Sequence, residues 1–144
     1  MRKKSIFSPM NRPKKGVTEL RAYYTWMGDD GIARTQVKPD SEIVLEDAEE
    51  NSKAVNGLFG PDLYPLVIDT RKIKSITKEA RDFFSMRGRE SRVYGLAILV
   101  DSPLSKIIGN FFIGLNRPKV PVKLFTKEET AISWCKKIKR PMDR

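Results

Sequence analysis

The chain has 144 residues with one cysteine and no histidine, so it has neither a disulfide framework nor a conventional zinc site. Its 28 basic and 18 acidic residues give a formal net charge of +10. No apolar run reaches the roughly 18–20 residues of a membrane span, and the N-terminus lacks the apolar region of a secretory signal. We therefore expect a cytoplasmic protein.

The positive charge is concentrated at the two ends of the chain. Residues 1–15 carry six basic side chains and no acidic one, and residues 136–144 carry five against one. The segment between them is neutral. We expect a basic flexible arm over residues 1–16, a single domain over residues 17–140 and a short tail over residues 141–144. Such ends would attract nucleic acid or an anionic surface weakly and in a salt-sensitive way.

The first elements follow a strand pattern. Residues 19–27 alternate with a period of two, which places Leu20, Ala22, Tyr24 and Trp26 on one face. Asp30-Gly31 then favours a hairpin turn, with residues 32–37 as the returning strand. From Leu45 to Phe59 the spacing becomes helical, and the start of this helix is acidic, which complements the helix dipole.

The rest of the chain alternates strands and helices. Strands are predicted at 66–69, 93–100 and 120–125, the last at a sheet edge because of Pro121. Helices are predicted at 77–88, 103–115 and from Thr126, where Thr126 and Glu129 suggest a capping box. The order β-β-α-β-α-β-α-β-α predicts an α/β fold, a five-stranded mixed sheet with an N-terminal antiparallel hairpin and helices packed on it.

The third helix is the most apolar. Its spacing predicts one buried stripe, made of Leu104, Ile107, Ile108, Phe111, Phe112 and Leu115. Ile113 falls on the opposite side, which suggests that this helix also approaches another surface. The candidate interaction surface consists of Lys106, Gly109, Asn110, Ile113, Gly114 and Arg117. A phosphate-binding loop is excluded, because Leu115 and Asn116 stand where that motif needs Lys and Ser or Thr.

Polar residues follow the strands at the carboxyl edge of the predicted sheet, where ligands of parallel sheets bind. The candidate anion or ligand rim consists of Asp69, Arg71, Thr77, Ser102, Asn116 and Thr126. Asp69 would work with Lys72 or Lys74 in a catalytic site, or form a structural ion pair with an arginine. Because no histidine is present to serve as a base, we predict no enzymatic activity, no catalytic residue, no metal site and no cofactor.

Two stretches carry a family resemblance, "VIDTRKIKSITKEARDFF" and "GLAILVDSPLSKIIGNFFIGLNRPKVPVKLFTKEETAISW". With the order of elements, they resemble an uncharacterised bacterial branch of the STAS-like group, which includes anti-sigma-factor antagonists. The resemblance implies a STAS-like fold over residues 18–140. It also implies a phosphorylation region after Val67-Ile68-Asp69, but Lys78 and Glu79 stand near the position of the family's serine. Ser75 or Thr77 is the possible substitute, with a plain helix cap as the alternative role of Thr77.

The sequence therefore predicts a non-catalytic STAS-like domain that acts through protein contacts as a homodimer, with regulation as the expected kind of role. The alternative is a module that binds a small apolar or anionic ligand between the third helix and the sheet rim. Opposite charges on residues 40–50 and 71–92 would pair within one molecule or across a dimer.

Overall fold

The computed structural model describes residues 9–59, 61–87, 92–116 and 120–141. The elements along these residues are β1 (Thr18–Glu19), β2 (Tyr23–Met27), β3 (Ala33–Val37), β4 (Glu42–Ile43), α1 (Leu45–Leu58), β5 (Tyr64–Asp69), β6 (Ser75–Ile76), α2 (Lys78–Arg87), β7 (Val93–Leu99), α3 (Pro103–Asn116), β8 (Val122–Phe125) and α4 (Glu128–Lys137).

Six of these strands form one mixed sheet in the order β1-β2-β3-β5-β7-β8. The first three pair antiparallel, and β3, β5, β7 and β8 pair parallel. The predicted α/β fold with its antiparallel N-terminal hairpin is confirmed. The predicted five strands omitted the two-residue β1, and also β4 and β6, which form a separate parallel ladder. The strand after Pro121, β8, is an edge strand as predicted.

The first predicted strand is interrupted by a turn. The N–H of Leu20 donates to the carbonyl of Tyr23 at 2.8 Å, which separates β1 from β2. Ala22 packs in the core cluster on one face of the sheet, whereas Trp26 packs in the cluster on the other face. The expected single face for Leu20, Ala22, Tyr24 and Trp26 is therefore wrong, because the turn changes the phase of the alternation.

The hairpin between β2 and β3 forms where it was predicted. Gly31 has φ +80, and its N–H donates to the carbonyl of Gly28 at 3.0 Å. A side chain with a Cβ adopts this left-handed conformation only at a cost, so glycine suits the position. Asp30 accepts from Arg34 at 2.6 Å and from the N–H of Ile32 at 3.1 Å. Turn residues and their own side chains thus hold the hairpin register.

Helices cover the two faces of the main sheet unequally. On one side, which we call the α4 face, α4 packs on β5, β7 and β8, and the core contains Val67, Ala97, Leu99, Ala131 and Cys135. On the other side, the three-helix face, α1, α2 and α3 supply Ala48, Ala80 and Ile108 to a second cluster. Both faces of the central parallel strands are therefore covered, as parallel sheets require.

An N-terminal segment covers the part of the α4 face that α4 does not reach. Met10 is only 3% exposed and belongs to the core cluster of Trp26. Arg12 donates to Oε1 of Gln36 at 2.9 Å, and its guanidinium carbon lies 3.8 Å from the centre of the Tyr24 ring. Met10 and Arg12, which were expected to be part of a flexible arm, thus pack on the sheet. Residues 1–8 of that arm lie outside the described residues.

The helix starts differ in how they are capped. In α1, Asp47 is buried and accepts the N–H of Val44 at 2.9 Å and the Nε–H of Arg21 at 2.8 Å, so the predicted acidic start includes a capping carboxylate. In α4, the helix begins one residue after Lys127, which makes no side-chain cap bond. The predicted capping box of Thr126 and Glu129 is therefore absent.

Candidate functional site

The centre of the predicted rim is a buried ion pair. The Asp69 side chain is 1% exposed and that of Arg71 is 7% exposed. Asp69 Oδ1 accepts from Arg71 Nε at 2.9 Å and from the Arg71 backbone N–H at 3.0 Å, and Oδ2 accepts from Arg71 Nη2 at 3.0 Å. This two-pronged geometry occupies both carboxylate oxygens. Asp69 is thus held by its own loop, in the arrangement expected of a structural pair.

The two lysines proposed as catalytic partners of Asp69 pair with other carboxylates. Lys72 Nζ lies 3.3 Å from Asp101 Oδ2, and Lys74 Nζ lies 3.5 Å from Glu42 Oε2. The second contact joins the acidic segment 40–50 to the basic segment 71–92 within one molecule. Burial alone would lower the pKa of the Arg71 guanidinium. The hydrogen bonds from Arg71 to Asp69 and the negative charge of Asp69 outweigh burial, so the pKa of Arg71 is raised.

Glu128 borders this ion pair from the first residue of α4. Burial raises the pKa of its carboxyl group, and the positive charge of Arg34, the N–H of Asn11 and the charge of Arg71 only partly oppose this rise. The N–H of Asn11 thus links the N-terminal segment to the start of α4, near the charges of Asp69 and Arg71. A polar cluster of this kind is a packed joint between elements, with little room for a substrate.

The hydroxyl groups at the rim are used for capping. Ser102 Oγ accepts the N–H of Ser105 at 3.1 Å at the start of α3. Ser105 is fully buried, and its Oγ accepts the N–H groups of Asp101 at 2.9 Å and Ser102 at 3.0 Å. Sequence reasoning missed Ser105, although a Ser-Pro-x-Ser spacing is a signal for this reciprocal cap.

Thr77 caps α2. Its Oγ1 accepts the N–H of Ala80 at 3.2 Å, and its own N–H donates to the carbonyl of Ile43 at 2.9 Å. Ser75 is half-buried in the β4–β6 ladder. These two residues, the predicted phosphorylation candidates, therefore lie on the three-helix face, where Thr77 has the capping role that was its alternative.

α3 is rotated relative to the sequence prediction. Ser105, Ile108 and Gly109 are buried, whereas Leu104 is 39% exposed and Ile107 is 66% exposed. The predicted burial of Leu104 and Ile107 is wrong. The rotation brings the smallest side chains of the helix onto the sheet, so that the helix axis approaches closely.

Gly109 marks that close approach. A Cβ at this position would meet Leu124 Cδ2 at 2.6 Å and Val100 Cγ1 at 3.4 Å. Because Gly109 faces β8, it is not available to the interaction surface for which it was proposed. Lys106 and Asn110 of that surface are exposed. The side chains of Ile113 and Gly114, and all of Arg117, lie outside the described residues, as does the side chain of Asn116 from the rim.

Lys106 and Asn110 line an open cleft between α3 and the junction of β8 with α4. The cleft has a volume of about 370 Å³. Val100, Leu124 and Phe125 form its apolar floor, and Lys106, Asn110, Thr126 and Thr130 form its polar walls. Of the predicted rim residues whose side chains the structure describes, Thr126 alone is among those that line this cleft. The structure therefore combines parts of the two predicted sites.

No group of three or more Cys, Asp and Glu side chains within residues 9–59, 61–87, 92–116 and 120–141 is arranged to hold a metal ion. Nor does any helix in that part of the chain combine the length and apolarity needed to cross a membrane.

Residues 25–139 match the family model described as a domain of unknown function, DUF7793. The chain belongs to the DUF7793 family. No curated protein matches this DUF7793 chain.

Two solved structures are similar to the DUF7793 chain. One is an uncharacterised DUF3478-family protein from Shewanella loihica PV-4 with a SpoIIAA-like fold, at a TM-score of 0.57 and 15% identity over 88% of this chain and 98% of that chain. The other is a protein of unknown function from Arthrobacter sp. FB24, at a TM-score of 0.31 and 31% identity over 79% of this chain and 99% of that chain. The first shows that the DUF7793 chain has the STAS-like fold predicted from the sequence.

Proposed function

We propose that this domain is a non-catalytic interaction module that forms a homodimer through the exposed side of α3. The observation that carries the proposal is the exposure of Leu104 and Ile107, at 39% and 66%. They are the exposed large hydrophobic residues among the described parts of the chain. Two such residues one helical turn apart form a patch, and apolar patches commonly mark contact sites.

The buried side of α3 keeps Leu104 and Ile107 in their exposed positions. Ser105 is bonded to the backbone before the helix, and Gly109 is packed against Leu124, so the rotation of α3 is fixed from its buried side. Turning Leu104 or Ile107 toward the sheet would expose Ser105 and Gly109 instead and leave the capping bonds unmade. The side chains of Leu104 and Ile107 therefore stay in contact with water, which is unfavourable for apolar surface. A partner that covers them would remove this cost.

A second copy of the chain is the partner that fits. In a twofold symmetric pair, α3 packs across the partner's α3, and each patch covers the identical patch. Two apolar side chains per subunit are a small contact, since standard interfaces bury about 800 Å² on each side. We therefore expect a weak dimer whose population depends on concentration in the micromolar range.

The test is sedimentation velocity at about 5 to 500 μM for the wild type, I107S and a matched control, K53S, on the exposed side of α1. The wild type and K53S should show a dimer that grows with concentration, and I107S should remain monomeric. A wild type that is monomeric throughout, or an I107S variant that dimerises like the wild type, would refute the proposal.

A second candidate function is the binding of a small amphiphilic anion in the cleft. It is supported by the cleft's composition, an apolar floor beside the Lys106 ammonium and hydroxyl groups. Titration with octanoate and, separately, with inorganic phosphate would distinguish apolar from purely anionic recognition. Shifts of the Asn110 and Thr130 amide resonances that saturate in the wild type and disappear in K106Q are expected. Equal shifts in both proteins would contradict this role.

A further inference from the structure

The charges of the chain are compensated unevenly. Within the described residues, seven ion pairs neutralise cations that all lie between residues 21 and 78: Arg21, Arg34, Lys38, Arg71, Lys72, Lys74 and Lys78. The exposed cations near the two ends form no ion pair with a described carboxylate: Lys14, Lys15, Lys136, Lys137, Lys139 and Arg140. We call these six residues the basic set. Four exposed lysines elsewhere also form no ion pair with a described carboxylate: Lys53, Lys106, Lys123 and Lys127.

The N-terminal part of the basic set lies on the α4 face. Lys14 and Lys15 follow Arg12, which is anchored to Gln36 and Tyr24 on that face. They precede Val17, which packs against the core cluster that contains the α4 residues. Both lysines are exposed. The segment is thus fixed to the sheet at each end, and its two lysines point to solvent between the anchors.

The C-terminal part of the basic set lies on the same face. Ala131 and Cys135 are the α4 residues buried against the sheet. Lys136 and Lys137, in the last turn of α4, are exposed, as are Lys139 and Arg140 after it. The exposed acidic residue of α4, Glu129, lies about two turns earlier. The C-terminal half of α4 therefore presents cations without neighbouring exposed carboxylates on the helix.

On the three-helix face, the exposed side of α1 is mainly acidic. The exposed residues of α1 include Glu46, Glu49 and Glu50, with Lys53 as their exposed basic neighbour. The N-terminal segment lies over β2 and β3, and α4 lies over β5, β7 and β8, so these two elements together extend across four strand spacings, about 20 Å. The acidic side of α1 and the basic set thus lie on opposite faces of the sheet, which the sequence alone does not reveal.

We propose that the α4 face is a membrane-surface site, which binds anionic lipid headgroups through the basic set. Clusters of four to eight Lys and Arg residues bind anionic bilayers in this way, with attraction confined to about one Debye length. The two groups of cations flank a broad face built from a helix that lies along the sheet, and a broad face suits a planar surface. This site is independent of α3, which lies on the three-helix face.

A bilayer fits this face better than a nucleic acid does. Five of the six cations are lysines, which act as point charges, whereas arginine is the residue that reads phosphates and bases bidentately. Binding of single-stranded nucleic acid uses exposed aromatic side chains as stacking platforms. The described part of the α4 face has no exposed large aromatic residue.

The test is co-sedimentation of the full chain with vesicles of phosphatidylcholine alone or with 30% phosphatidylserine. We expect binding to the anionic vesicles at 50 mM NaCl, little at 500 mM, and none to phosphatidylcholine. Each removed lysine should weaken binding by about fivefold. The pairs K14Q/K15Q and K136Q/K137Q should each weaken it by about thirtyfold, whereas K53Q with K78Q, on the other face, should leave it unchanged.

Several outcomes would overturn the proposal. Equal binding to the two kinds of vesicle is the first such outcome. The second is a loss of binding in the K53Q and K78Q control as large as in the basic pairs. The third is a loss of binding in only one of the two basic pairs, which would mean that the two ends do not form one surface. Stronger binding to duplex DNA or RNA than to anionic vesicles at the same salt would assign the face to nucleic acid instead. Circular dichroism of each variant checks its fold. Monomeric protein that still binds vesicles would reject the α3 dimer while leaving this site standing.

Discussion

Removing one member of the Asp69–Arg71 pair should destabilise the protein more than removing both. In D69A, the Arg71 guanidinium loses two bonds at 2.9 and 3.0 Å, and the Arg71 backbone N–H loses its acceptor at 3.0 Å. The Asp69 site is 1% exposed, so water does not readily replace the carboxylate. In R71M, the buried carboxylate loses its charge partner while the backbone bond remains.

The magnitude follows from burial. Breaking a buried ion pair by removing one partner costs about 3–5 kcal/mol, because a charge is left in a poorly solvated site, whereas an apolar replacement of both partners is often neutral. We expect D69A and R71M each to lose about 3–5 kcal/mol and D69A/R71M to lose less than about 2 kcal/mol. At about 2–4 °C per kcal/mol for a chain of this size, each single variant should melt about 6–20 °C lower.

Urea denaturation followed by circular dichroism, for all four members of the cycle, measures these free energies of unfolding. The double variant should retain the wild-type m-value, because the surface exposed on unfolding is unchanged. Single variants that lose less than about 1 kcal/mol, or a double variant that loses the sum of the two singles, would refute the reasoning. Either result would mean that water already screens the pair.

Three further predictions follow from the packing. M10A should lose about 2–4 kcal/mol of unfolding free energy, because Met10 is 3% exposed in the core. Urea denaturation measures this loss, and an M10A variant as stable as the wild type would contradict the prediction. G109V should destabilise by about 1–3 kcal/mol through its clash with Leu124, and L124A should relieve part of that loss in the same assay. Burial raises the pKa of the Cys135 thiol to about 11 from an ordinary 9.0. The thiol therefore ionises more readily in the unfolded chain than in the folded chain. The stability that the neutral thiol contributes below pH 9 is lost as the pH rises from 9 to 11. Cys135 should accordingly react with a disulfide reagent at least about 100-fold more slowly in native than in urea-unfolded protein, and equal rates would show that the thiol is accessible.

The order of elements was predictable because strong local signals agreed with the fold. Alternation, the Asp30-Gly31 turn and helical spacing after Leu45 placed most elements within two residues of their observed bounds. The two-residue strands β1, β4 and β6 were not predictable, since pairs this short carry no periodicity. Met10 was also missed, because a single apolar residue among basic ones gives no pattern, and its burial depends on a gap on the sheet that forms only in the folded chain.

The candidate site was predicted less well than the fold. Asp69 and Arg71 were located at the rim, and their pairing was one of two stated alternatives. The orientation of α3 was wrong because apolar periodicity selected Leu104 and Ile107 for burial, whereas close packing selected Ser105 and Gly109. Helix rotation is decided by the shape of the sheet surface below, and hydropathy alone does not contain that shape.

The ends of the strand order limit how copies of this chain can associate. One outer strand, β1, has two residues, and the other, β8, follows Pro121 and carries the exposed Lys123. Neither border offers the long row of free amide and carbonyl groups on which a neighbouring chain builds a continuous intermolecular ladder. Self-association of the folded protein should therefore join separate sheets through side chains, and the native state should resist seeding fibrils by edge-to-edge growth.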